Sequence, residues 1–273
     1  MKQDSGVILV NVLLVLAIGS AITVLMFTSQ DQLLNRSARS AAAAQAQALA
    51  LGAETSVRVA LQRDMTDAPD TDHFAEPWAQ SAQQTVTLAT GTFAIEIDDV
   101  QGRYNLNNLT TPGIVQPQIL LRLTRSLDLA DPIADAIIRH VQERGPITQI
   151  EQITGLSESA VRILRPYVTA LPDITEVNIN TADTLVLAAV LNNAGAARQL
   201  VRLRDRQGFL TRDDLLSAGI LAATGAGFTS QIFDIQTQAQ VDDVTVHLRS
   251  RIWRQSELTG KQALVISKTF GPN

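Results

Sequence analysis

Cysteine is absent from the 273-residue sequence. A chain of this length can build a core without disulfides, so the absence leaves the redox compartment open. Histidine occurs only at His73, His140 and His247, and these are not at metal-ligand spacings. There is no Gly-x-Ser-x-Gly nucleophile elbow and no Gly-x-x-x-x-Gly-Lys phosphate cradle. The sequence therefore offers no enzyme constellation. Lysine and arginine total 22 against 27 acidic residues, a formal charge of −5. That balance argues against a dedicated nucleic-acid binder, which carries a basic face. Aromatic residues are scarce at 4%, although hydrophobic residues make up 45%. The adjacent acids Asp98-Asp99, Asp213-Asp214 and Asp242-Asp243 could bind Ca2+ or share a proton. They read as solvated turns and helix starts, with Asp213-Asp214 in a first helical turn favoured by the macrodipole.

What the chain does have is a strongly polarised start. Met1-Lys2-Gln3-Asp4-Ser5-Gly6 is followed at once by an apolar run from Val7 to about Phe27, broken only by Asn11, Gly19, Ser20 and Thr23. The run is roughly twenty residues, enough to span a hydrocarbon core as a helix. A cleavage site at Gly6–Val7 precedes the run, the reverse of an ordinary secretory signal, so cleavage there leaves the membrane helix on the mature protein. Two other readings compete. An ordinary signal peptide has an apolar core of about 7–15 residues with small residues after it. Ala17 to Ala21 offer small residues, but Ile22, Val24, Leu25, Met26 and Phe27 continue the run. The other is a plain uncleaved anchor. Lys2 and the amino terminus are the leader's positive charges and Asp4 offsets one, a weak signal that places the start in the cytoplasm and the bulk outside. Asn11 is an amide in the apolar run. It either bonds a neighbouring subunit's helix or terminus, or lies close enough to the surface to reach headgroups.

Ser29 to Arg63 contains no proline, a single glycine and many alanines. We read one helix from Val7 to about Arg63, roughly 85 Å long at 1.5 Å per residue. The alternative is two helices broken near 28–32. Asp64 to Trp78 reads as a loop. Gln84–Leu88 and Thr92–Asp98 read as strands about a Thr90-Gly91 turn, and Gln101–Tyr104 as a further extended piece. From Gln116 to about Ile235 the pattern is helical, with segments at 119–127, 134–141, 150–153, 157–168, 182–192, 194–206 and 212–218. Strands return at 244–253 and 263–269. The expected fold class is α+β, an antiparallel head carrying an all-α insertion.

The insertion holds two hairpin-like units, Pro146–Leu156 and Val177–Leu210, similar to helix-hairpin-helix segments. In DNA binders such a hairpin presents backbone N–H groups to phosphate. Asn192-Asn193-Ala194-Gly195-Ala196 is a poor hairpin of that type. Arg198, Arg202, Arg204 and Arg206 form a modest basic cluster, and the alternative reading of the unit is a packing module.

Taken together, these segments resemble the K-type minor pseudopilins of bacterial type II secretion. The resemblance lies in the start through Leu16, in Asp72–Ala79, Asp99–Leu109, Leu164–Pro172 and Val177–Ala182, and in their order. It implies a pilin-like long N-terminal helix, half transmembrane and half packed on an antiparallel sheet. The implied division is a leader at 1–6, a transmembrane part at 7–27, helix and first head part at 28–112, an all-α insertion at 113–240 and closing strands at 241–273. It further implies prepilin peptidase cleavage between Gly6 and Val7, N-methylation at Val7, and a single pass through the inner membrane with a periplasmic head. The implied role has no catalysis: a minor pseudopilin at the pseudopilus tip with the I-type and J-type subunits and other inner-membrane components, needed for export of folded proteins. Most pilins carry glutamate at the fifth mature position. K types lack it, and here that position is Asn11. K types usually carry an acidic calcium-binding stretch, but Arg139–Gln149 has one carboxylate and two arginines. Asp128, Asp131 and Asp135 are the remaining candidate ligands. Two other classes stay open at this point: a minor pilin of a type IV pilus binding DNA through its insertion, and a membrane-anchored enzyme, which the missing constellations disfavour.

Overall fold

A computed structural model of the chain describes residues 4–80, 82, 85–221, 223–257 and 260–271. Helix α1 runs unbroken over Asp4–Asp67, 64 residues and so about 96 Å. The two-helix alternative is not realised. No proline interrupts the segment, and the helix stops two residues before Pro69, whose ring disfavours helical backbone at the residue ahead of it. Every α1 residue from Leu9 to Ala41 is exposed. Beyond that point a narrow inward stripe appears: Ala42, Ala46, Ala50, Ala53, Val57, Leu61 and Asp64 are buried, at spacings of three or four.

The stripe lies on a five-stranded antiparallel sheet of order β1-β2-β7-β8-β9. Its strands are β1 (Val86–Leu88), β2 (Gly91–Asp99), β7 (Ile232–Val241), β8 (Val244–Glu257) and β9 (Gly260–Phe270). The four alanines leave the helix axis close to the sheet. Ala42 and Ala46 meet Val241, and Ala50 meets Ala239 and Leu248. Toward the helix end the layer thickens, and Val57 and Leu61 pack with Trp78, Phe233, Ile235 and Ile252. Trp78 belongs to the short helix α2 (Pro77–Gln80) and meets Phe233 edge-on, with ring centroids 5.1 Å apart. Gly91 starts β2 where a side chain cannot fit, since a Cβ there would lie 2.3 Å from the carbonyl oxygen of Gln240.

The segment between β2 and β7 forms the insertion. It contains β3 (Tyr104–Asn105), α3 (Val115–Ser126), α4 (Asp131–Arg144), α5 (Glu158–Leu164), β4 (Val168–Thr169), β5 (Val177–Asn178), α6 (Thr184–Leu191), α7 (Ala194–Gln207), α8 (Arg212–Ser217) and β6 (Ala226–Gly227). Two short parallel pairs, β3 with β4 and β5 with β6, tie distant parts of it together. One core gathers Tyr104, Leu120, Leu123, Ile137, Leu164 and Val186, and a second gathers Ile179, Leu187, Leu200 and Leu210.

Three sequence expectations are corrected here. The boundary of the insertion expected at residue 240 moves back to about residue 231, because Ile232–Val241 is a strand bonded between β2 and β8. Its inward residues alternate with Gln236, Gln238 and Gln240, but two of them, Thr237 and Ala239, carry little hydrophobic signal. The helix expected at 157–168 ends at Leu164, and Val168 instead pairs with Tyr104. The extended piece expected at 101–104 is partly a 3-10 turn over Val100–Gly102. The start of the first strand, expected at Gln84, lies outside the described residues.

Close packing of the alanine stripe predicts that Ala50→Leu destabilises the chain by about 1–3 kcal/mol through overpacking against Ala239 and Leu248. Ala48→Leu, at an exposed position, leaves stability within about 0.5 kcal/mol. Urea unfolding of the purified chain distinguishes the two.

Candidate assembly segment and the polar joint beneath the insertion

The backbone of Gly6, Val7 and Asn11 lies in the first turns of α1. From Leu9 onward this end of the helix is long and apolar enough to cross a membrane, and none of its most apolar stretch is buried within the molecule. Asn11 is exposed among exposed apolar neighbours, including Val10, Val12, Leu14 and Val15. Among the described residues nothing covers this surface, a pattern suited to lipid or to the helices of other subunits.

At the other end of α1, a network of buried polar side chains joins helix, sheet and insertion. Arg254 on β8 is 6% exposed. Its Nη1 donates to Asp64 at the end of α1 at 2.8 Å, and its Nη2 donates to Asp72 in the link that follows. The guanidinium also donates to the Ser230 carbonyl and lies 4.8 Å above the Phe233 ring. Asp72 accepts from the Ser230 N–H at 2.6 Å. Glu76 accepts from Trp78 Nε1 at 2.5 Å and lies 3.2 Å from His73 Nε2, and the His73 ring stacks on Phe209 of the insertion. Asn178 on β5 uses one amide nitrogen to bond the Asp72 carbonyl, Asp99 Oδ2 and Ser230 Oγ at 2.9–3.0 Å. Asp99 also accepts from Thr181 Oγ1 at 2.6 Å and Ser230 Oγ at 2.7 Å.

Burial sets the protonation of this network. Desolvation, followed by the fields of Glu76 and Asp72, pushes the Asp64 carboxyl up to about 7, and Arg254 opposes it. Desolvation likewise raises Glu76 against its bond from Trp78. It raises Asp99 against bonds from Thr181, Ser230, the Gln101 N–H and Asn178. Desolvation lowers His73.

A second layer of buried amides continues the joint into the insertion. Asn105 bonds the Asp173 carbonyl and Thr175 Oγ1, and accepts from the Leu171 N–H. Asn107 donates to the Ile147 and Leu171 carbonyls at 2.8 Å, and Asn108 donates to the Thr175 carbonyl at 2.7 Å. Asn180 donates to the Leu210 carbonyl and accepts its N–H. These side chains replace the regular ladder that the loops lack, so their backbone groups remain satisfied without water. Gly102 lets the insertion come this close, since a Cβ would lie 2.9 Å from the carbonyl oxygen and hydroxyl of Thr181.

Sequence reading did not single out Arg254, Ser230 or Asp64. Many of the other members sit in segments quoted above for their resemblance: Asp72 and Glu76, then Asp99, Asn105, Asn107 and Asn108, then Leu171, then Asn178, Asn180 and Thr181. Those segments, scattered along the chain, converge at one place in the fold. The family model for type II secretion system protein K matches residues 177–236, from the strand bearing Asn178 to the middle of β7. Type II secretion system protein K of Pseudomonas aeruginosa is 28% identical over 78% of this chain and 76% of its own length. That of Klebsiella pneumoniae is 27% identical over 98% of this chain and 95% of its own. The chain is thus similar to type II secretion system protein K over most of its length. A solved chain of the GspK–GspI–GspJ complex from the type 2 secretion system of enterotoxigenic Escherichia coli shares the fold. It aligns with a TM-score of 0.70 and 20% identity, covering 87% of this chain and all of the other.

In this chain the α6–α7 turn is built for packing. Asn192 takes the left-handed conformation and Asn193 caps α7 by accepting from the Ala196 N–H at 3.0 Å. Arg204 donates to the Ile179 and Ala182 carbonyls at 2.8 Å, which removes it from the basic cluster formed with Arg198, Arg202 and Arg206. The candidate calcium ligands are not drawn together. Asp131 is clamped by Arg125 at 2.9 and 3.0 Å, and Asp128 and Asp135 are exposed without joining a metal-ligand grouping. Ca2+ takes six to eight oxygens, so these residues do not fit the ion.

Two outcomes follow. Arg254→Met leaves buried carboxylates unpaired and costs about 3–5 kcal/mol in urea unfolding. At neutral pH, replacing Asp128, Asp131 and Asp135 together by asparagine leaves the melting temperature in millimolar Ca2+ the same relative to chelator as in the parent chain. A loss of calcium-dependent stabilisation in the triple variant contradicts this.

Proposed function

We propose that this chain is a minor pseudopilin at the tip of the type II secretion pseudopilus, acting without catalysis in assembly and in export of folded periplasmic proteins. The observation that carries the reading is α1 itself, one continuous helix that is exposed and apolar at its start and packed on an antiparallel sheet at its end. That form suits a subunit extracted from a membrane into a helical bundle of pilin stems. The peptidase-cleaved bond is Gly6–Val7, Val7 becomes the methylated terminus, and residues 7–27 span the inner membrane once with the head in the periplasm. The I-type and J-type minor pseudopilins are the proposed partners, in keeping with the composition of the related complex. Asn11 at the fifth mature position supplies no charge for the terminus of a neighbour above it. The insertion adds bulk where further subunits would stack. Both features suit the terminal place. The spent arginine and the capped α6–α7 turn favour this reading over DNA binding.

Mass spectrometry of the membrane-extracted protein is expected to find Val7 as the methylated first residue. Gly6→Trp is expected to leave Met1 in place and to abolish recovery with the I-type and J-type subunits. An intact Met1 in the parent chain, or an end near Ala21, contradicts the proposal.

A further inference from the structure

The charges at the centre of the joint do not balance. Asp64, Asp72 and Glu76 each place an oxygen within 4.8 Å of the others, and all three are buried. Arg254 from β8 bonds Asp64 and Asp72. The other charged or titratable groups at this place are His73 in the link, against Glu76; Lys261 at the start of β9, bonded to the Met65 carbonyl; and Asp99, one hydrogen bond away through Ser230. Three ionised carboxylates around one guanidinium leave an excess of negative charge away from water, an arrangement that burial disfavours. Asp72 shows where the mismatch lies. Its Oδ2 accepts from Arg254 and Ser230, whereas its Oδ1 is buried with no donor. Asp64 and Asp72 bring carboxylate oxygens within 4.8 Å of each other, so a proton on Asp64 supplies the missing donor. A divalent cation fits less well, because both oxygens of Glu76 already face Trp78 and His73, and the guanidinium lies in the cluster.

We infer that one proton is held between Asp64 and Asp72 in the folded protein, and that its loss loosens the junction of helix, link and insertion. The link is the part affected, because Asp72 anchors it to both the Phe228 carbonyl and Asn178. The rise of Asp64 toward 7 agrees with this geometry. A carboxyl raised on folding gives stability that is complete below its unfolded value. That stability drains as pH rises through the folded value. His73, lowered by burial, acts in the opposite sense below its ordinary value of 6.5. The informative range therefore begins at about pH 6.5.

The test is thermal unfolding of the full chain in detergent at constant ionic strength between about pH 6.5 and 8.5. The parent melting temperature is expected to fall by about 2–3 °C across the range. Asp64→Asn donates to Asp72 at every pH and is expected to show no fall. If that variant does not fold, Glu76→Gln decides, since removing one like charge is expected to move the midpoint to lower pH. A pH-independent parent, a fall that persists in Asp64→Asn, or an unmoved midpoint in Glu76→Gln overturns the inference. Millimolar Ca2+ that restores the lower-pH melting temperature at pH 8.5 also overturns it, by showing a cation in the proton's place.

Discussion

Arg254 receives its two carboxylates from the end of the long helix and from the link beyond it, positions 190 and 182 residues earlier in the chain. Guanidinium is suited to this place because its planar fork stays charged when buried and can satisfy several acceptors at once. The consequence is geometric. Asp64 fixes where α1 ends over the sheet, Asp72 turns the link beneath the insertion, and Ser230 returns the chain from the insertion into β7. The clasp works beside an apolar contact in which Leu171 and Val100 meet Ile232 and Trp253, and the two together join the sheet core around Phe233 to the insertion core around Leu120 and Leu164. A buried ion pair of this kind adds little net stability against an apolar substitute. Its contribution here is orientation.

The division of the molecule follows from where its apolar surface is spent. The first part of α1 keeps its apolar surface outside, the alanine stripe buries a narrow face on the sheet, and the insertion closes its own cores. Apolar stem, head and added helical mass are thus three solutions to the same burial problem along one chain. The polar joint stands between the second and third, at the point farthest along α1 from the membrane end.

Much of this was legible in the sequence. The apolar run, the proline-free alanine segment, most of the helices and the terminal strands follow from composition and period. The strand Ile232–Val241 did not, because Thr237 and Ala239 hold inward positions with weak hydrophobic signal. The joint was hidden for a different reason. Asp64, Asp99, Asn178, Ser230 and Arg254 have no local pattern, and only the fold brings them together. The segments that carried the family resemblance contain many of the joint residues, so the resemblance had a physical basis before the contacts were known. Of the acidic candidates Asp128, Asp131 and Asp135, Asp131 is held by Arg125, a pairing that has no sign in the sequence.

The central claim is that the joint makes link, sheet and insertion one cooperative unit. Hydrogen exchange on the full chain in detergent tests it at the amides of Asp72, Ser230 and Arg254, which bond across the joint. The account predicts that they exchange as slowly as the amides at the centre of β7 and β8, with a shared opening free energy. Exchange at these three sites orders of magnitude faster than in the sheet, with the insertion opening independently, would contradict it.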